Sequence, residues 1–171
     1  MNILILNGSH RKNGNCSNFC QTAKEILQKK HSVVVHNLIE MDIKKCDGCL
    51  NCEEGTDCHI CDDFSKQIIS DIYDAELIIF TTPTYFNMPS ASMVNFIDRT
   101  NSLCEYFSES PKKVLAYLSG QTDEDSIKDA YKCIHTYFEI MAMEEIATPI
   151  FHVARFKESL PKDAIDVLSK I

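Results

Sequence analysis

Five of the nine cysteines in the chain are concentrated between Cys46 and Cys61. Four of them follow a compact spacing, with two residues between each of the first three and five residues before the fourth: Cys46, Cys49, Cys52 and Cys58. Thiolates grouped in this way are typical of a [4Fe–4S] site, although the final Cys-Pro of the bacterial ferredoxin run is missing here. Free thiols and a zinc site are the alternatives, and the two Cys-x-x-Cys pairs lie closer together than in the usual zinc ribbon.

A second group of residues with a chemical use follows the apolar run at residues 2–6. Gly8 and Gly14 would allow the backbone to approach a bound group closely, and a helix opening after them leaves unpaired N–H groups pointing at one spot. Hydroxyl, amide and guanidinium donors lie between and just after these glycines: Ser9, Arg11, Asn15 and Ser17. The loop therefore predicts a phosphate site, although it matches neither the dinucleotide fingerprint nor the P-loop. An ordinary polar turn with a helix cap is the alternative interpretation.

Five short apolar runs alternate with stretches of helical periodicity and would position these loops. The runs occupy residues 2–6, 32–38, 77–80, 113–118 and 145–150. Runs without polar alternation suit parallel strands that are covered on both faces, and strand-helix-strand units cross over with a right hand. The pattern predicts an α/β fold with a doubly wound, parallel, five-stranded sheet of order 2-1-3-4-5 and helices on both faces. The polar stretch between Cys104 and Lys112 is predicted to be a flexible lid.

Composition limits the classes of function that remain. The 171 residues, 44% of them hydrophobic, predict one domain over residues 1–171 with a cysteine-rich loop insertion at about 44–62. A net charge of −8 argues against a nucleic-acid surface, and no apolar run is long enough to span a membrane. Without a signal-like segment we expect a cytoplasmic protein, where cysteines serve as metal or redox ligands before disulfides. No Ser-His-Asp or Cys-His pair has a recognisable context.

The first loop, Gly-Ser-x-Arg-x-x-Gly-Asn, resembles that of the flavodoxin-like FMN reductases. The resemblance implies that FMN is bound through its phosphate by five residues of this loop: Ser9, Arg11, Asn15, Cys16 and Ser17. Because the family usually has a hydroxyl residue where this chain has Cys16, only the backbone contact is expected there. The Pro-x-Tyr-Phe segment resembles the one that lines the isoalloxazine ring, which implies a contact with Pro83, Thr84, Tyr85, Phe86 and Asn87. Ser119, Gly120 and Gln121 would form a third wall.

The end of the cysteine loop, Cys-x-Ile-x-Asp-Asp at residues 58–63, resembles the iron–sulfur flavoproteins and their NAD(P)H-dependent oxidoreductase relatives. This resemblance implies a [4Fe–4S] cluster on Cys46, Cys49, Cys52 and Cys58 that exchanges single electrons with FMN. Cys61, which relatives lack, would be left over as a spare ligand or redox thiol. Asp98-Arg99-Thr100 resembles the family's end to the third helix, and we interpret it as structural.

Three functions are compatible with these observations. The first is an FMN oxidoreductase with a [4Fe–4S] cluster at the same carboxyl edge of the sheet as the flavin. The second is an NAD(P)H-dependent FMN or quinone reductase without a cluster, and the third is a zinc-stabilised interaction module. In the first two the cofactor carries the chemistry, so no protein acid or base is expected. The partners would be small-molecule or protein electron donors and acceptors, and the family implies a homodimer or homotetramer.

Overall fold

The computed structural model describes residues 1–54, 58–156 and 158–171. Within those residues a seven-stranded sheet forms the centre of the molecule. Its strands are β1 (Asn2–Asn7), β2 (Ser32–Asn37), β3 (Leu77–Tyr85), β4 (Met88–Pro89), β5 (Lys113–Gly120), β6 (Glu144–Glu145) and β7 (Ile150–Val153). The helices are α1 (Asn15–Leu27), α2 (Ile69–Asp74), α3 (Ala91–Arg99), α4 (Cys104–Glu109), α5 (Glu124–Ile140) and α6 (Lys162–Lys170). A π-helical turn, Phe64–Ile68, leads into α2.

The predicted strand order is confirmed, but its fifth strand is divided. β2, β1, β3 and β5 pair in parallel in that order, and both β6 and β7 pair with the outer edge of β5. The prediction of one strand over residues 145–150 is wrong, because β6 pairs with the start of β5 and β7 with its end. Pro149 lies between the two pieces and has no N–H to donate to a ladder.

β1 shows how an unbroken apolar run serves both faces of the sheet. Leu4 and Leu6 pack on the side of α2, α3 and α5, whereas Ile3 and Ile5 pack on the side of α1 and α6. All four are at most 2% exposed. Since successive side chains of a strand point to opposite faces, an apolar residue is needed at every position. The prediction of helices on both faces is confirmed.

The polar stretch between Cys104 and Lys112 is helical rather than a flexible lid. α4 occupies most of it, and Phe107 is fully buried against the core. The ammonium group of Lys112 is also buried, and its Nζ donates to the carbonyl oxygens of Tyr73 at 2.9 Å and Ala75 at 2.8 Å. The lid prediction is wrong because a buried aromatic ring and a buried, hydrogen-bonded ammonium group fix the segment. Among the described residues, no helix is both long and apolar enough to cross a bilayer.

Candidate functional site

A cleft of about 620 Å³ opens at the carboxyl ends of β1, β3 and β5. Eleven of the twelve residues predicted to bind the cofactor line it: Ser9, Arg11, Asn15, Cys16, Pro83, Thr84, Tyr85, Phe86, Asn87, Ser119 and Gly120. Ligands of open α/β sheets bind at this edge, where the strand order reverses beside the first strand. The structure thus brings together the three loops that the sequence predicted to meet.

Gly8 holds the loop after β1 in close contact with β3 and with the start of α3. Its N–H donates to the carbonyl oxygen of Thr81 at 2.8 Å, and its own carbonyl accepts from Ser90 Oγ at 2.6 Å. A Cβ atom at Gly8 would lie 2.8 Å from Ser90 Oγ and 3.1 Å from Met93 Cβ. Glycine is therefore required here by the close approach of α3. The contact fixes the N-terminal end of α3 beside the first loop.

Ser9 and Ser17 stabilise the first loop in different ways. Ser9 is buried, its N–H donates to Asn7 Oδ1 at 3.0 Å, and its Oγ accepts from the Arg11 N–H at 3.1 Å. Ser17 Oγ donates to the Arg11 carbonyl at 2.7 Å, and Ser17 does not line the cleft. Ser17 comes two residues after Asn15, so its side chain is rotated by about 200° around the axis of α1 relative to that of Asn15 and points away from the cleft. It supports the loop from behind, and the Arg11 side chain is exposed at the cleft.

Asn15 connects the first loop to the segment that follows β7. Its Nδ2 donates to Ser119 Oγ at 3.3 Å and to the Phe156 carbonyl at 3.1 Å, and its Oδ1 accepts from the Glu158 N–H at 3.0 Å. The amide side chain is thus engaged by protein groups on both sides. Its backbone at the start of α1 still belongs to the predicted phosphate cradle.

Cys16 forms part of the floor of the cleft as a buried thiol. It is 2% exposed, and burial raises the pKa of this thiol well above its usual value. The group is therefore uncharged and packs as a small hydrophobe. A phosphate contact at this position would come from the backbone N–H at the start of the helix, which agrees with the expectation for a residue that replaces a hydroxyl.

The second wall of the cleft is a hairpin in which β3 turns back into β4. Thr84 and Tyr85 pair with Pro89 and Met88, so the segment that follows Phe80 continues as strand. The two turn residues, Phe86 and Asn87, both have positive φ, of 50° and 57°. This is the backbone of a two-residue type I′ turn, a conformation that is strained for phenylalanine. It leaves the Phe86 ring 97% exposed at the mouth of the cleft.

The third wall depends on Gly120 and includes residues that the sequence did not identify. A Cβ atom at Gly120 would lie 2.7 Å from both Ile127 Cγ1 and Thr84 Oγ1. Gln121 lines this wall as the sequence predicted, and the additional lining residues follow β5 and β7: Thr122, Asp123, Ser126, Ala154, Arg155 and Phe156. Those after β5 continue directly from Ser119 and Gly120, so the carboxyl-edge rule would have found them. Those after β7 were missed because strand five was placed too early.

The described cysteines of the inserted loop lie at or near the surface. Cys46, Cys49 and Cys61 are exposed, while Cys52 and Cys58 are half-buried. Cys49 Sγ lies 3.3 Å from His59 Nδ1, and His59 Nε2 lies 3.1 Å from Asp47 Oδ2. Thiolates are the donors that iron–sulfur clusters and zinc prefer. Among the described residues, however, the one group of three potential ligand atoms within 4.8 Å of one another is Asp47, Cys49 and His59, which contains a single predicted ligand.

Arg99 fixes the end of the cysteine loop to α3. It is 2% exposed, and its Nη1 donates to Asp62 Oδ2 at 2.5 Å and to the Lys44 carbonyl at 2.9 Å. Although burial opposes ionisation, the Arg99 hydrogen bond helps to hold the pKa of Asp62 below its usual value. The guanidinium also lies over the Phe64 ring, 4.8 Å from its centre. The structural interpretation of Arg99 is thus supported by a buried ion pair that closes the loop.

The structure places two of the predicted metal ligands beside the C-terminal end of α3. Asn101 Nδ2 lies 3.1 Å from Cys52 Sγ, and Arg99 Nη2 lies 3.5 Å from Cys58 Sγ. The N-terminal end of α3 contacts the phosphate loop, and nine residues of helix span about 13 Å. The expectation that the loop holds its thiols at the flavin edge is therefore wrong for this pair. Residues 38–44 carry the chain away from β2 along α3, as the bond from Asn95 Nδ2 to the Ile43 carbonyl shows.

The fold and the cleft define a class of protein, and the comparison with protein families identifies it. Residues 1–158 match the family described as NADPH-dependent FMN reductase. The chain therefore belongs to this family, whose members are flavin-dependent oxidoreductases. The glycines of the first loop and the donors around it agree with that membership, because they form a cradle that a larger side chain would fill.

Two curated relatives and one solved structure are similar to this chain. The chain is 33% identical over 100 residues to an iron-sulfur flavoprotein of Archaeoglobus fulgidus, an alignment that covers 58% of this chain and 49% of the relative. It is 27% identical over 144 residues to an iron-sulfur flavoprotein of Methanocaldococcus jannaschii, covering 84% and 74%. The chain thus spans about half the length of the first relative. A flavodoxin from the domain Archaea superimposes with a TM-score of 0.64 at 14% identity, covering 99% of this chain and 92% of that one, which confirms the flavodoxin-like fold.

Proposed function

We propose that this protein is an FMN-dependent oxidoreductase that also holds a [4Fe–4S] cluster and passes electrons one at a time between the two groups. The observation that carries the proposal is the cleft, where a glycine-bearing phosphate loop, a hairpin and the β5 wall meet at one edge of the sheet. FMN, when bound, supplies the redox chemistry and accepts electrons singly or in pairs. The residues of the chain then bind and orient it.

The roles of the lining residues follow from their chemistry. Backbone N–H groups at the start of α1 and the exposed guanidinium of Arg11 would hold the phosphate. The hairpin, Pro83 to Asn87, and the Gly120 backbone would line the ring. Arg155, which follows β7 in the cleft, provides a second positive charge near a dianionic guest. Together these groups favour a flat, phosphorylated ligand over a neutral one.

The cysteine loop supports the cluster through its donor set. Cys46, Cys49, Cys52 and Cys58 would hold it, and the two curated relatives are iron-sulfur flavoproteins. Thiolates at the surface can take up iron and sulfide without unfolding the core. NAD(P)H is the proposed electron donor, in keeping with the description of the family. A second small molecule or protein would be the acceptor.

The test is to purify and reconstitute the protein without oxygen and to measure iron, sulfide, zinc and FMN per chain. We expect one FMN and about four irons, with broad absorption beneath the flavin bands. Cys58→Ser should lose the iron and keep FMN, because it removes one of four ligands. The matched control is Cys61→Ser, which should keep both. If the iron is instead lost with Cys61→Ser and kept with Cys58→Ser, the fourth ligand is Cys61.

The alternative is an NAD(P)H-dependent FMN or quinone reductase without a cluster. Membership of the NADPH-dependent FMN reductase family favours this alternative. Yellow protein that oxidises NAD(P)H and stays free of iron after reconstitution would establish this alternative. Zinc bound at the cysteines of colourless protein that takes up no FMN would support the interaction module and refute both flavin functions.

A further inference from the structure

Two side chains at the C-terminal end of α3 donate hydrogen bonds to cysteine sulfurs. Asn101 Nδ2 lies 3.1 Å from Cys52 Sγ, and Arg99 Nη2 lies 3.5 Å from Cys58 Sγ. Both distances lie within the range of N–H···S hydrogen bonds. Both sulfurs belong to cysteines that the proposed function assigns to the cluster. The end of the helix therefore presents two donors to one side of the proposed metal centre.

The guanidinium of Arg99 is held in a fixed position. Asp62 and the Lys44 carbonyl bind its Nη1, and Phe64 covers its face. Its Nε is buried and has no hydrogen-bond partner among the described residues. A buried N–H that lacks a protein acceptor is uncommon and needs an explanation. Beside a cysteine sulfur, it indicates a place suited to additional negative charge.

Asn101 is exposed, so its amide is not required by the packing of the core. Its oxygen accepts a weak hydrogen bond from Cys104 Sγ at 3.7 Å, which orients the NH₂ group toward Cys52. Cys104 Sγ in turn lies 3.6 Å from Met141 Sδ at the end of α5. The donor is thus positioned by neighbours from two helices, whereas Arg99 is positioned by a buried ion pair.

We propose that Arg99 and Asn101 are positioning residues that stabilise the thiolates of the cluster and raise its reduction potential. The inference rests on the proposed function, in which Cys52 and Cys58 are ligands. Reduction adds negative charge to an iron–sulfur centre, and N–H donors on the ligating sulfurs stabilise that charge. A cationic donor contributes more than a neutral one. Loss of either donor therefore makes the cluster harder to reduce.

The first test is Asn101→Asp, which has nearly the same shape and replaces the donor by a carboxylate. We expect the midpoint potential of the cluster, measured by anaerobic spectroelectrochemical titration, to become more negative than that of wild type. Asn101→Leu should give a smaller shift in the same direction. The flavin potential is the internal control and should stay constant, because the cleft adjoins the opposite end of α3.

The second test avoids an unpaired buried carboxylate, which Arg99→Met alone would leave behind. Asp62→Asn keeps the arginine and removes a negative charge, so the potential should equal or exceed that of wild type. Adding Arg99→Met to Asp62→Asn should then lower it. The potential is read from the fraction that holds iron, so incomplete loading does not obscure the comparison.

Equal potentials in wild type and Asn101→Asp, together with equal potentials in Asp62→Asn and Arg99→Met/Asp62→Asn, with iron present in all four proteins, would overturn the inference and leave the proposed function intact. Wild-type protein that holds no iron after reconstitution would instead refute the cluster, and this inference with it. A potential that is more negative in Asn101→Asp than in wild type, and more negative in the double variant than in Asp62→Asn, with the flavin potential unchanged, supports a direct effect on the thiolates.

Discussion

Arg11 and Ser9 lie in the same loop and contribute to ligand binding in different ways. Ser9 is buried and orders the backbone through bonds with Asn7 and Arg11. The Arg11 guanidinium is exposed and makes no ion pair within the described part of the chain, so its charge remains available to a ligand. The order of the loop and its positive charge are thus supplied by two different residues of the same loop.

Arg11→Ala combined with Ser9→Ala should weaken FMN binding by roughly tenfold to a hundredfold, the effect of losing a charged hydrogen bond of about 1.5–3 kcal/mol. Flavin-fluorescence titration measures this affinity. Riboflavin, which lacks the phosphate, should bind the variant and wild type similarly. Lys12→Ala is the matched charge control, because Lys12 pairs with Glu40 at 2.9 Å. Unchanged FMN affinity in the double variant would remove the phosphate from this loop.

β7 carries a buried histidine that forms a side-chain hydrogen bond with a tyrosine of β5. His152 is buried, and its Nδ1 accepts from Tyr117 Oη at 2.5 Å. Tyr117 is fully buried and stacks on Phe19 with ring centres 4.0 Å apart. Burial lowers the pKa of His152 and raises that of Tyr117, so the phenol donates and the imidazole stays neutral. The two strands are thus joined by a hydrogen bond that needs an uncharged histidine.

This pairing predicts that the free energy of unfolding decreases as the pH falls below about 6.5. The unfolded state protonates His152 at that pH whereas the folded state resists it, so the unfolded state binds more protons. Urea unfolding between pH 5 and 7.5 measures the slope. His152→Gln should make the slope shallower than that of wild type. An identical slope in His152→Gln and wild type would contradict the prediction.

The elements that were predicted correctly from the sequence are those in which the local sequence pattern and the tertiary packing favour the same structure. β1 is apolar at four successive positions because both faces are covered, and its loop carries its own glycines. The fifth strand was misplaced because pairing with β5, interrupted at Pro149, decides where β6 and β7 lie. α4 was missed because the segment is polar in composition, whereas a single buried ring, Phe107, fixes it against the core. Arg155 was not predicted to line the cleft, because its position depends on the long-range pairing of β7 with β5.

At the scale of the whole molecule, three exposed apolar side chains lie around the mouth of the cleft. Phe86 is 97% exposed, Phe156 73% and Met88 56%. Large apolar groups that cluster at a ligand site mark an interaction surface more often than isolated ones do. A lone chain would also leave the cofactor ring open to water on this side. These observations support the proposal of a homodimer or homotetramer.

We therefore expect light scattering to give at least twice the 19.5 kDa mass of the chain when FMN is bound. Phe86→Ser with Met88→Ser should shift the mass toward the monomer and make the flavin more accessible to an added quencher. Ile140→Ser is the matched control, because Ile140 is 72% exposed at the end of α5 and lies outside the cleft. A 19.5 kDa species with FMN bound and activity retained would refute the assembly.

The side chain of Asn15 has a consequence for the order in which the protein matures. It belongs to the loop that follows β1, and its partners at Phe156 and Glu158 lie 141 and 143 residues further along the chain. β1 and α1 can form early, but the wall beyond β7 closes only after β7 and the segment behind it have been made. Cofactor loading therefore has to follow the synthesis of β7, and a nascent chain that stalls before β7 presents an open cleft with one wall missing.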